Sequence, residues 1–139
     1  MKNAMAALFM LMSICLISGL ACAAAAPVIV THMLTGSSKE GTITTLNFTV
    51  HVVNMGNDPI TSLTLSLVPL PPLTSGQTTL NFATLGPHKS MDIPLQVTAP
   101  AFINTDKISR RPLVWAGKCV DAQGTPVDFP ATSHHGGSQ

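Results

Sequence analysis

The residues able to do chemistry in this 139-residue chain are few and scattered. Five histidines stand at His32, His51, His88, His134 and His135. None shares a short ligand spacing such as H-x-x-x-H, and adjacent side chains in a strand point to opposite faces, so His134 and His135 would not close on one ion. No specific metal site and no cofactor are expected. His51 should lie on the solvent face of a strand, with the other histidines in turns or in a polar tail.

Three cysteines occur, Cys15, Cys22 and Cys119. A cysteine nucleophile needs a base within hydrogen-bond reach and a positive setting that lowers its pKa. Lys118 adjoins Cys119 but in a strand faces the other way, so Cys119 reads as a buried structural thiol or, if accessible, as half of an intermolecular disulfide. G-x-S-x-G is absent, and the acids are scattered singly through turns, so neither serine-hydrolase nor paired-carboxylate chemistry has a foothold. The chain is not expected to be an enzyme. Lys107, Arg110 and Arg111 would share one face of a helical turn, because positions three and four apart are neighbours there. They form a candidate interaction patch for an acidic partner. Asn47-Phe48-Thr49 matches a glycosylation sequon, which would count only in a eukaryotic source.

The elements that must position these groups begin after a leader. Lys2, an apolar run from Ala4 to Leu20 and the small-residue stretch Ala21 to Ala26 follow the order of a secretory signal peptide. Cleavage after Ala23 suits the small residues best, giving a leader of 1–23. Read instead as an uncleaved anchor, the run would hold the chain at a membrane. A cut just before Cys22 would expose that cysteine to lipid modification, or leave it free to pair with Cys119. Localisation is therefore expected to be secreted, periplasmic or at the cell surface, with membrane attachment only through lipidated Cys22 or an uncleaved leader.

Beyond the leader, Lys39, Lys89, Lys107, Arg110, Arg111 and Lys118 balance Glu40, Asp58, Asp92, Asp106, Asp121 and Asp128. A balanced domain lacks the electrostatic footprint of nucleic-acid binding. Its segments alternate with period two. Leu46, Phe48, Val50 and Val52 form one face of the run 42–54, which at about 3.3 Å per residue is long enough to demand a bend or a late start near Ile43. The turn Asn54 to Pro59, with Gly56 supplying positive φ, leads to Ile60–Val68, expected as the second strand of a core pair. Pro69, Pro71 and Pro72 end it. Further strands are predicted at 78–85, at 90–98 with Met91, Ile93, Leu95 and Val97 inward, and as a hairpin of 112–120 and 125–129 around Asp121-Ala122-Gln123-Gly124. Pro94 requires an edge or a bulge. Residues 27–34 make a first strand, 99–111 a crossing loop with Asn104 capping one helical turn, and 131–139 a flexible tail. About seven short strands within 24–130 predict an all-β, immunoglobulin-like β-sandwich.

From Leu46 to Pro100 the chain resembles a broad family of bacterial and archaeal cell-surface Ig-like modules, the conserved-repeat and cell-adhesion-related types. FTVHVVNMG, ITSLTLSLV, the Leu85-Gly86-Pro87 turn and DIPLQVTAP carry the likeness, with Trp115 and the DAQG turn at 121–124 similar to the family's closing hairpin. The resemblance implies a non-catalytic module for adhesion, spacing or assembly outside the cytoplasm. The function expected is thus protein binding or adhesion, through contacts with another envelope or extracellular protein at sheet edges and loops. The alternative is a structural subunit of an envelope or surface assembly, lipid-anchored through Cys22.

Overall fold

Strand β2 (Ile43–Asn54) states the rule by which the fold is built: Thr44, Leu46, Phe48, Val50, Val52 and Asn54 are buried, and the residues between them are not. The computed structural model describes residues 28–136. The other strands are β1 (Val28–Glu40), β3 (Ile60–Leu67), β4 (Thr74–Ser75), β5 (Thr79–Leu85), β6 (Ser90–Pro100), β7 (Leu113–Val120) and β8 (Pro126–His135), with one helical turn, α1 (Thr105–Ser109). The expected leader 1–23, with Cys22, and residues 137–139 lie outside the described residues. Among the described residues, no helix is long and apolar enough to cross a membrane.

The chain is all-β, its eight strands forming one mixed sheet in the order β4-β6-β2-β1-β8-β7-β3-β5. The sheet curls, and the inward faces of its two halves share one core. Leu46, Phe48, Val50, Leu95 and Val97 come from one half, and Leu63, Leu65, Leu80, Phe82, Trp115 and Phe129 from the other. Each such side chain contributes about 1.5–3 kcal/mol on leaving water. Opposite Phe129 in the β7–β8 ladder stands Gly117, where a Cβ would fall 2.4 Å from the Phe129 ring, so only glycine lets that ring lie flat on the strand.

Several expectations are met and several are corrected. β2 starts at Ile43, and Pro94 lies on β6, next to last in the order, at a position that the two-residue end strand β4 does not pair. Asn104 caps α1, accepting hydrogen bonds from the amides of Asp106 and Lys107, and Gly124 takes positive φ (80°) in the β7–β8 turn. β3, however, does not pair with β2: it lies between β5 and β7, so Asn54–Pro59 carries the chain from one half of the sheet to the other. Gly56 does not take positive φ; its amide donates to Asn54 Oδ1. Met91, expected inward, is 39 % exposed, because it stands near the end of its strand beyond the reach of the core. Residues 131–135, expected in a flexible tail, belong to β8, whose polar Ser133 is buried because its hydroxyl is fully engaged.

Two polar clusters hold this arrangement. The first is Asn54, fully buried at the end of β2. Its Nδ2 donates to the carbonyls of Asp58 (2.8 Å), Leu85 (3.1 Å) and Gly86 (3.2 Å), and its backbone amide donates to Lys89 O. One side chain thereby joins the β2–β3 turn to the β5–β6 turn. The second lies at the β1–β8 seam, the parallel pairing of Thr31 with His134 and His32 with His135, extended by the Gly136 amide on His32 O. Ser133 Oγ accepts from Trp115 Nε1 (3.0 Å) and shares a hydrogen bond with His32 Nδ1 (2.9 Å). The His32 ring packs edge-on against Phe48, and its Nε2 is buried without a hydrogen-bond partner. His32 is only 1 % exposed, which corrects its placing in a turn: the β1 pattern, not residue polarity, decides which face it occupies.

Burial lowers the His32 pKa below its ordinary 6.5; the Ser109 backbone partly opposes this, and His135 and His134 add to it. Near and below that ordinary value the unfolded chain takes up a proton that the folded chain refuses. Stability should therefore fall as pH drops from 7 to 5, and His32→Gln should flatten that slope in denaturant unfolding measured at each pH. Asn54→Ala strands buried carbonyls at both turns and should cost at least about 2 kcal/mol by the same measurement at pH 7.

Candidate functional site

The ends of the strand order differ in how they meet solvent. β6 is protected. Pro94 stands in the middle of it, opposite Thr49 of β2, and brings no N–H to either side. Further along, β4 pairs with it at Thr74–Thr98 and Ser75–Val97, and Ser75 Oγ donates to the Gln96 carbonyl (3.0 Å). Proline and a short covering strand are the ordinary means of blunting an edge.

β5 has none of these. Its sequence, Thr79-Leu80-Asn81-Phe82-Ala83-Thr84-Leu85, holds neither charge nor proline, and among the described residues no strand pairs with its outer side. The Leu67 amide donates to Thr78 O (2.6 Å), which makes Leu67 and Thr78 a hydrogen-bonded pair of the β3–β5 ladder. Such pairs alternate along an antiparallel ladder. Leu80, Phe82 and Thr84 therefore direct their backbone groups toward β3, whereas Thr79, Asn81 and Ala83 direct theirs outward. Leu80 and Phe82 anchor the strand in the core, and Asn81 Oδ1 accepts from Thr64 Oγ1 (3.1 Å), so the edge is fixed as well as open. Sequence reasoning identified the blunted strand through Pro94, but the open one requires the strand order.

The other candidates are placed as follows. Cys119 faces the core of β7 and is 5 % exposed; burial raises its pKa, with Asp121 and Asp128 adding to the effect. A shielded, protonated thiol is a poor partner for an intermolecular disulfide, and the bridge considered from sequence has no accessible sulfur at Cys119. Lys107 lies on α1, Arg110 caps it and Arg111 follows it, all at exposed positions, while Ile108 and Ser109 of α1 are buried. His51 is on the outer face of β2, as expected, hydrogen-bonded through Nδ1 to Asp92 on β6. His88 Nε2 meets Asn57 Oδ1 (2.9 Å) across the two turns joined by Asn54. Among the described residues, no three His, Cys, Asp or Glu side chains are grouped to hold a metal ion. An apolar cleft of about 210 Å³ lies beneath the proline loop, lined by Leu67, Leu70, Leu73, Val97 and Leu113 and rimmed by Thr74, Ser75 and Thr78. No titratable group lines it, so it offers shape without acid–base chemistry.

No protein-family model matches the chain, and no curated protein matches it. Similar solved structures include a FixG-related protein from Vibrio parahaemolyticus, 13% identical, with 78% of this chain and 96% of that one covered and a TM-score of 0.35. A Northeast Structural Genomics Consortium target is 12% identical, with 81% and 88% covered and a TM-score of 0.41. The N-terminal domain of PorA is 15% identical, with 79% and 99% covered and a TM-score of 0.33. The all-β assignment rests on the chain's own strands and ladders, not on these likenesses.

Proposed function

We propose that the chain is an exported, non-catalytic, immunoglobulin-like binding or adhesion module that takes an envelope or extracellular protein as its partner by adding a strand to β5. The observation that carries the reading is the outward row of backbone donors and acceptors on Thr79, Asn81 and Ala83, on a strand with neither charge nor proline and with only the Thr79 carbonyl touched, by Gln77 Nε2 (3.4 Å). Strand addition obtains affinity from main-chain hydrogen bonds and specificity from side-chain fit. The leader-like order of residues 1–23 supports export.

Ala83→Pro tests this, because the residue is exposed and the amide it removes points away from β3. The variant should keep the fold, with unfolding free energy within about 1 kcal/mol of the parent. It should bind the partner captured from an envelope extract at least about tenfold more weakly, as expected for losing a main-chain hydrogen bond and placing a ring at the edge. Undiminished capture by a folded Ala83→Pro chain would refute strand addition at β5.

A further inference from the structure

The arm of β8 beyond Ser133 is held on one side only. β7 accompanies β8 from Pro126 to Ser133, where Leu113 is its last partner, and among the described residues His134, His135 and Gly136 meet no strand but β1. That contact is short: Thr31 with His134, His32 with His135, and the Gly136 amide on His32 O (2.9 Å). β1 is paired with β2 from Val28 to Glu40 and does not need β8 to stay extended. The arm can therefore lift without unpicking a second ladder.

Beneath the arm lies an imidazole with no place for a second proton. The His32 ring is closed in by Phe48 of β2 and by Ser133, which also takes the Trp115 indole of β7. Its remaining cover is His135, an exposed side chain whose ring stands 6.3 Å away, centroid to centroid. Nδ1 shares its hydrogen bond with Ser133 Oγ, and the buried Nε2 has no partner. In the charged ring both nitrogens donate, and the donor at Nε2 would stay unpaired away from water. No carboxylate is set to receive it. The charges that act on His32 are those of His135 and His134, both of its own sign, and only the Ser109 and Ser133 backbones favour the charged form. On α1, Arg110 and Arg111 follow Ser109, and the acid Asp106 precedes it by three residues.

We infer that the β1–β8 seam is a proton-operated clasp, in which weak acid lifts residues 134–136 from β1 and bares that strand's edge at His32 while both halves of the core stay folded. Because an exposed side chain covers the ring, lifting the arm brings water to His32. Below the ordinary imidazole value of 6.5 the lifted form takes up a proton that the closed form refuses. Lifting therefore gains up to about tenfold per unit of pH, until the closed form can be charged as well. The His32 carbonyl, released by Gly136, becomes an acceptor open to another strand.

Amide hydrogen exchange in the full chain reads the clasp directly, with each rate divided by that of an unstructured peptide at the same pH. The Gly136 amide should be at least about tenfold less protected than those of Val50 and Leu65, which lie in central strands of the two halves, and low denaturant should not change it. Its protection should fall by up to about tenfold per unit between pH 6.5 and pH 5. His32→Gln should abolish that fall. His135→Gln, at an exposed position, should reduce it about twofold by removing a like charge from the cover. Ala83→Pro should leave the response unchanged, which keeps it separate from strand addition at β5. Protection at Gly136 that does not vary with pH overturns the inference, because the arm would then merely fray. Protection equal to that of Val50 and Leu65 at every pH overturns it too, since the arm would then open only with the whole fold. A fall that persists in folded His32→Gln, or, where that variant does not fold, one undiminished in His135→Gln, overturns it as well.

Discussion

A single buried amide sets the geometry on which the rest depends. β5 and β6 are consecutive in the chain yet stand near opposite ends of the strand order, so nothing in the ladders themselves fixes how the turn between them sits. Asn54 supplies that link. By donating to Leu85 and Gly86 it holds the far end of β5, and by accepting from Gly56 it shapes the turn that carries the chain from β2 to β3. An aliphatic residue at the end of β2 would complete the alternation equally well and leave the carbonyls of both turns without a donor. An amide is needed because it can donate and accept at one buried point.

That link gives the two edges their contrasting character. With the β5–β6 turn held, the two strands run back along opposite halves of the curled sheet, each with one side unpartnered or nearly so. Pro94, Ser75 and the short β4 occupy β6 from Pro94 to Thr98, whereas β5 is stiffened from within by Leu80 and Phe82 and met outside only by Gln77 Nε2 at the Thr79 carbonyl. A row of fixed backbone groups needs no further ordering on its own side when another strand is added to it, which keeps the entropic cost of such a pairing low.

The strands themselves could be read from the alternation of residues 43–54, 60–67, 79–85 and 113–120, since a half-buried strand writes its two faces directly into sequence. The same logic placed Cys119 inside. Their pairing was less legible: β2 and β3 are joined by so short a turn that a hairpin is the natural expectation, and only the hydrogen bonds of Asn54 show why the chain crosses over instead. Thr35–Glu40 gave no signal because that arm of β1 is exposed on both faces and is held by backbone pairing to β2. His32 and Ser133 were obscured for a related reason. Each is polar, and the two are buried together where His32 Nδ1 and the Ser133 hydroxyl bond one another beside the Trp115 indole, a condition set by residues about a hundred positions apart. The open edge is a property of strand order, which local pattern does not encode.

The seam between β1 and β8 bears on how the protein would carry tension. Val28 begins β1 and His135 ends β8, and the two strands run parallel where they meet. Stretching the molecule between these points would slide one strand along the other, loading the seam bonds together instead of opening them one after another. A body fastened at one end and tugged at the other would thus bear the strain in shear, across a joint braced by the Trp115–Ser133–His32 cluster.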